Sequence, residues 1–207
     1  MNNHTILFSV TNTYKIIITL EEPLAFVGWG YEENIILLHN NKKLILADGP
    51  IHYNMQQLSD LLTKAISNDL PLHKSITSDI GYLLNEYHKD KKGFAIKEFS
   101  NGLSAWVGYE YFLWQAQNNN ISYSTWLYND DQNNITLKVT SLYPYFYCDV
   151  SKEINYITYQ NWIKTYHPYL TIHLPREIAI KWLNQANSIL KTIQSNVNEW
   201  EKEDKNE

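Results

Sequence analysis

Cysteine is nearly absent from this chain. Cys148 stands alone, which excludes an internal disulfide and is compatible with a reducing compartment. Basic charge is also in deficit: 17 Lys and Arg face 22 Asp and Glu, for a formal net charge of -5 and a pI of about 5.8. That balance argues against nucleic acid as a ligand, which needs a basic face, and suits a basic protein partner. No apolar run approaches the roughly 20 residues of a membrane span. The opening residues Met1, Asn2, Asn3 and His4 show no basic region followed by an apolar stretch. No secretory leader and no membrane association are therefore expected, and the expected location is cytoplasmic. Catalytic signatures are missing too. The seven His residues form no H-x-x-x-H pair, and there is no G-x-S-x-G elbow or phosphate-binding glycine loop. No cofactor and no metal are expected. His39 and His52 could approach each other across an early hairpin, a pairing that often arises by chance.

What is abundant is aromatic: 16 Tyr and 7 Trp in 207 residues. With 44% hydrophobic residues a real core can form, and part of the aromatic content is expected to line a half-exposed sheet. Surface Tyr and Trp are also good recognition anchors, being large, stiff and amphipathic.

Hydrophobic periodicity predicts a mixed α+β fold with a mostly antiparallel sheet packed against several helices. Residues 1–207 are read as one domain, with 1–100 and 101–207 as possible subdomains. Residues 5–10 and 14–20 read as strands joined by a turn at 11–13. Ile16, Ile17 and Ile18 are consecutive, which predicts burial on both faces. Residues 34–39 and 42–48 form a second hairpin with Asn40 and Asn41 at its tip. A first helix follows, capped by Asn54 and stopped by Leu70-Pro71. A second is capped by Ser75, with Ile76, Ile80, Leu83, Leu84 and Tyr87 as its stripe. Residues 94–99 read as a short strand.

The centre of the chain is a three-stranded meander over 103–142, with strands at 103–115, 121–128 and 135–142. In the third, Ile135, Leu137 and Val139 alternate with Thr136, Lys138 and Thr140, which predicts one apolar and one polar face. A short helix near 158–166, a strand over 169–174 and a long amphipathic helix from Pro175 complete the order. The last helix repeats Ala179, Trp182, Leu183, Ala186, Ile189, Leu190, Ile193, Val197 and Trp200, and its stripe is expected to lie across the sheet. Residues 201–207 form a polar tail.

Candidate site residues fall in two places. The loop Tyr143-Pro144-Tyr145-Phe146-Tyr147 concentrates aromatics beside turn residues, and Asp130-Asp131 marks an acidic turn. Tyr143, Tyr145, Tyr147, Asp130 and Asp131 are thus the expected partner-binding residues. Glu110 is the one carboxylate expected mid-strand, between Tyr109 and Tyr111. Buried there it could act as a general acid; otherwise it faces out in a cross-strand polar pair. Asp48, Asp79 and Glu86 read as ordinary turn, helix or surface carboxylates.

Trp106-Val107-Gly108-Tyr109, Trp126-Leu127-Tyr128-Asn129, Leu142-Tyr143-Pro144, and the stretches 162–168 and 175–182 carry a resemblance. Over about 103–190 the chain resembles uncharacterised bacterial proteins of the toxin-immunity type, encoded beside secreted toxins. The resemblance implies no catalytic residues. It implies a non-catalytic protein that binds and neutralises a cognate toxin domain, expected to be basic, by blocking its active site or its access to substrate. The Asn-, Ile- and Lys-rich usage is compatible with an AT-rich bacterial genome. Three other classes stay open: a small enzyme using Glu110 and a nearby Tyr, a carbohydrate-binding module with surface Trp and Tyr, and a housekeeping or structural interaction protein.

Overall fold

A computed structural model describes residues 4–10, 14–39, 42–118, 121–146 and 156–203. In chain order its elements are β1 (His4–Ser9), β2 (Tyr14–Leu20), β3 (Ile35–His39), β4 (Lys42–Ala47), α1 (Ile51–Ile66) and α2 (Ile80–Lys89). They continue with β5 (Ile96–Glu98), β6 (Ser104–Trp106), β7 (Phe112–Asn118), β8 (Ile121–Asn129), β9 (Ile135–Ser141), α3 (Tyr159–Ile163), β10 (Leu170–Leu174) and α4 (Arg176–Glu203). The fold is α+β, with antiparallel sheets and a long C-terminal helix, as the periodicity predicts. No helix among the described residues is long and apolar enough to cross a membrane. The expected tips at 11–13 and at Asn40 and Asn41, and most of the polar tail, lie outside the described residues.

The first sheet is a meander in the order β1-β2-β3-β4. Phe8, Ile16, Ile18, Ile35, Leu37, Leu44 and Leu46 are buried, while Leu7 is exposed and Ile17 and Ile36 are half-buried. Ile17 therefore does not share the burial of Ile16 and Ile18. The run is β-branched because β-branched residues suit strands, and one face of an antiparallel sheet can still meet water.

α1 starts one turn earlier than the Asn54 cap predicts. Pro50 takes the N-cap position with extended backbone (φ -61°, ψ 124°), and its carbonyl accepts from Asn54 N. The helix ends at Ile66 with Ser67 as its C-cap, and Asn68 follows in left-handed backbone (φ 59°), before Leu70-Pro71 is reached. Asparagine tolerates that conformation better than most side chains.

α4 packs along α1 rather than mainly across the sheet. Ser59 Oγ donates to Asn187 Oδ1 at 2.7 Å, and the helix reaches the first sheet through Trp182, edge-on to Phe8 at 5.6 Å between ring centroids. Two amphipathic helices bury each other's stripes, which competes with burial on the sheet. Ile189 is sealed and Leu183 only half-buried. Ile189→Ala should cost about 2–5 kcal/mol in urea melts, and Leu183→Ala clearly less; equal losses would mean the stripe is buried differently.

The second sheet runs β10-β9-β8-β7, antiparallel throughout. The strand expected over 103–115 is interrupted. β6 pairs with β5 in a separate hairpin, Val107–Tyr111 form a 3-10 turn, and only from Phe112 does the chain enter the sheet. The interruption is built around Gly108, where a Cβ would collide with the indole of Trp106. Both faces of this sheet are covered. α1 binds one side: Trp114 Nε1 donates to Asn54 O, and Asn129 Nδ2 donates to Ala65 O while its Oδ1 accepts from Leu70 N. α2 covers the other, where Asn85 Nδ2 donates to Ser141 O. The polar face expected on β9 is thus interior, with Thr136 and Thr140 buried.

The two large sheets meet edge to edge. β4 lies beside β7, and the Asn118 amide mimics a strand partner: its Oδ1 accepts from Ile45 N at 2.9 Å and its Nδ2 donates to Ile45 O at 2.8 Å. Buried apolar residues of both sheets and of α1, α2 and α4 join in one cluster.

Candidate functional site

The expected partner-binding residues do not converge. Asp130 and Asp131 sit in the β8–β9 turn, while Tyr143 and Tyr145 lie past the far end of β9. A seven-residue strand separates them, about 23 Å at the usual rise. Asp130 is engaged in its own turn. Its Oδ1 accepts from Gln132 N and Asn134 N, and its Oδ2 accepts from Asn134 Nδ2 and lies 3.5 Å from His173 Nδ1. These hydrogen bonds hold the carboxyl below the usual aspartate range, against the opposing effect of desolvation. Asp131 is exposed at the tip. Tyr143 is buried, so it offers no ring to a partner. Aromatics beside turn residues predict an exposed loop here, yet α2 and α3 close over Tyr143. Tyr145 is half-buried, and Tyr147 lies outside the described residues.

Tyr143 is instead the hub of an aromatic cluster. Its ring meets Tyr145, Phe146, Tyr159 and Trp162 at centroid distances of 5.1–5.5 Å, and its hydroxyl donates to Ile157 O at 2.6 Å. Tyr145 contacts Tyr156, which with Ile157 stands exposed at the rim. Tyr159, Trp162 and Tyr166 follow at helical spacing, so one face of α3 and its continuation feeds the cluster. That spacing was the available signal for Tyr159.

Beneath the cluster sits a charged knot. Asp79 caps α2, accepting from Gly81 N and Tyr82 N at 3.0 Å; Ser75, the expected cap, lies upstream of the helix. Asp79 also accepts from Tyr166 Oη at 2.6 Å and from Lys138 Nζ at 2.8 Å. Burial opposes ionisation of Asp79, but the Lys138 and Tyr166 hydrogen bonds outweigh it and hold the carboxyl below its ordinary range. Burial likewise opposes the Lys138 charge, and Asp79 more than compensates. Burial, then the Asp79 charge, pushes the Tyr166 phenol far up. Tyr159 Oη donates to Glu86 at 2.6 Å, and burial with that carboxylate raises its phenol too. Asp79 and Glu86, which read as ordinary carboxylates, each lock an element in place.

Next to this knot Tyr123, Ser141, Trp162, Thr165, Tyr166, His167 and Tyr169 line an open pocket of about 250 Å³. Tyr123 meets Tyr169 edge-on at 5.5 Å, and the lining combines four aromatic rings with the hydroxyls of Ser141 and Thr165.

Glu110 belongs to the 3-10 turn over Val107–Tyr111, not to a strand. Its Oε1 accepts from Lys97 Nζ at 2.7 Å in a partly exposed ion pair. His39 and His52 lie at opposite ends of β3: His39 pairs with Lys42, while His52 follows Ala47, the partner of Ile35. His39 stacks on Tyr14 at 4.3 Å and His52 lies against Trp29 and Tyr53. Among the described residues no three His, Cys, Asp or Glu side chains are grouped to hold a metal ion. No family model, no curated protein and no solved structure matches the chain.

Proposed function

We propose that this chain is a non-catalytic, cytoplasmic protein of the immunity type that binds and neutralises a basic toxin domain. The observation that carries the reading is a surface on which rigidly seated aromatic rings stand among exposed carboxylates. The ion pairs Lys97–Glu110, Lys138–Asp79 and His173–Asp130 engage three acids. Glu21, Glu22, Glu32, Asp48 and Glu199 are exposed and belong to none of these pairs. Such acids speed encounter with a basic partner, and stiff rings supply contact area at small entropic cost.

The test is co-expression with the product of the adjacent gene, followed by association kinetics at two salt concentrations. Binding, protection from that product's toxicity and an association rate that falls with salt are expected. Absence of both binding and protection overturns the reading. The pocket beside Tyr123 and Trp162 favours a second reading, carbohydrate binding, since sugars stack on aromatic walls and hydrogen-bond to hydroxyls. Glycan-array binding lost in Trp162→Ala would replace the first reading with this one.

A further inference from the structure

One end of the molecule brings exposed rings and exposed acids together on a fixed base. Three segments meet there: the β2–β3 connection over 21–34, the β4–α1 junction over 48–53, and the last turns of α4. Asn196 Nδ2, on α4, donates to both Leu24 O and Val27 O at 2.9 Å. The indole of Trp200 lies directly on Gly28, where any Cβ would strike it. Ile51 N donates to Tyr31 O, and Glu21 N donates to the Tyr31 hydroxyl at 2.8 Å. These contacts fix an otherwise irregular stretch, so its ordering cost is met before any partner arrives.

On that base Phe26 is 61% exposed and Tyr53 67%. Trp29 lies edge-on to His52, which is tilted against Tyr53 at 4.0 Å. Large apolar rings left in water need a reason, and scattered single residues would not supply one. The same three segments carry Glu21, Glu22, Glu32, Asp48 and Glu199, all exposed. Lys202 is the one Lys or Arg within 21–34, 48–54 and 196–202. Aromatic centre and acidic rim together are the inverse of a basic cleft.

We propose that this end, centred on Phe26 and Tyr53 within its acidic rim, is the surface that docks a basic protein. The proposal rests on the function proposed above and names its site, in place of the loop at Tyr145. A second copy of this chain is disfavoured, because like charges would face each other.

The test uses the full chain and the adjacent-gene product. Phe26→Ala combined with Tyr53→Ala should weaken binding about tenfold or more, mainly through faster dissociation. Glu21→Gln, Glu22→Gln and Glu32→Gln together should slow association and flatten its salt dependence, while Tyr145→Ala leaves the affinity within about twofold. Phe26, Tyr53, Glu21, Glu22 and Glu32 are exposed, so thermal melts of these two variants should match wild type. If a variant fails to fold, a hydrogen-exchange footprint on the wild-type complex decides: protection over 21–34 and 48–53 supports the site, and protection confined to other segments overturns it. Wild-type binding with both variants unaffected overturns this site and leaves the proposed function standing. No wild-type binding overturns the proposed function and the site with it.

Discussion

Glu33→Gln should stabilise the protein by several kcal/mol at pH 9 and change it little at pH 4. Glu33 continues the inward register of β3: Glu33, Ile35 and Leu37 are buried and Asn34 is exposed. Its backbone N–H is satisfied by Gly49 O, but neither carboxyl oxygen has a hydrogen-bond partner among the described residues. Burial therefore pushes its pKa from 4.5 up to about 8. The acid's folded pKa lies above its unfolded one. Its favourable state is thus complete below about pH 4.5, and stability is lost as pH climbs through about 8. Each tenfold change in the ionisation constant corresponds to about 1.4 kcal/mol. Gln has nearly the same shape and never ionises, so its advantage should grow between those limits and then level off. Urea melts across pH 4–9 check this; parallel wild-type and variant curves would mean that Glu33 ionises freely and is hydrated in solution.

Trp126→Ala should cost about 3–5 kcal/mol, near the top of the range for a core aromatic. Trp126 is fully buried in the central strand of the second sheet. Phe112 meets it edge-on at 5.5 Å and Trp106 at 6.3 Å, so it joins the β5–β6 hairpin to the sheet. Its Nε1 donates to Thr140 Oγ1 at 2.8 Å, on the polar face of β9 that α2 covers. Truncation opens a large cavity at a site rigid on all sides and removes the donor from a buried hydroxyl. Trp126→Phe should lose less, since most of the ring volume remains. Denaturant midpoints measure both; equal losses would assign the whole effect to the hydrogen bond.

Most strands and the long helices were legible because their signals are local, whereas the division of the strands into two four-stranded sheets was not: the periodicity predicts a single sheet. Alternation in β9 and the three- and four-residue repeat of α4 need no knowledge of the rest of the chain. The interruption at 107–111 was not legible, because Trp106, Tyr109 and Tyr111 fit a strand and no local pattern encodes the seating of the Trp106 indole on Gly108, which leaves no room for a Cβ there. Ser75 and Asp79 both suit a helix cap. What selects Asp79 is Lys138, 59 residues away, and Tyr166, 87 residues away. The site suffered most for the same reason. Tyr143 is buried by helices whose positions no local pattern encodes. The segment of Phe26 is tied to Trp200 and α4 through Asn196 and Gly28, contacts that span some 170 residues.

β1 ends the first sheet, and its outer carbonyls would ordinarily be a template for another chain's strand. Trp182 Nε1 donates to Ser9 O at 3.0 Å and Gln185 Nε2 to Leu7 O at 3.2 Å. The side chains of α4 thus occupy the acceptors that an incoming strand would need. A residue that fills the core at Phe8 is at once a guard against intermolecular sheet growth. Loss of Trp182 would therefore open a route to aggregation as well as a cavity, and the first would scale with protein concentration while the second would not.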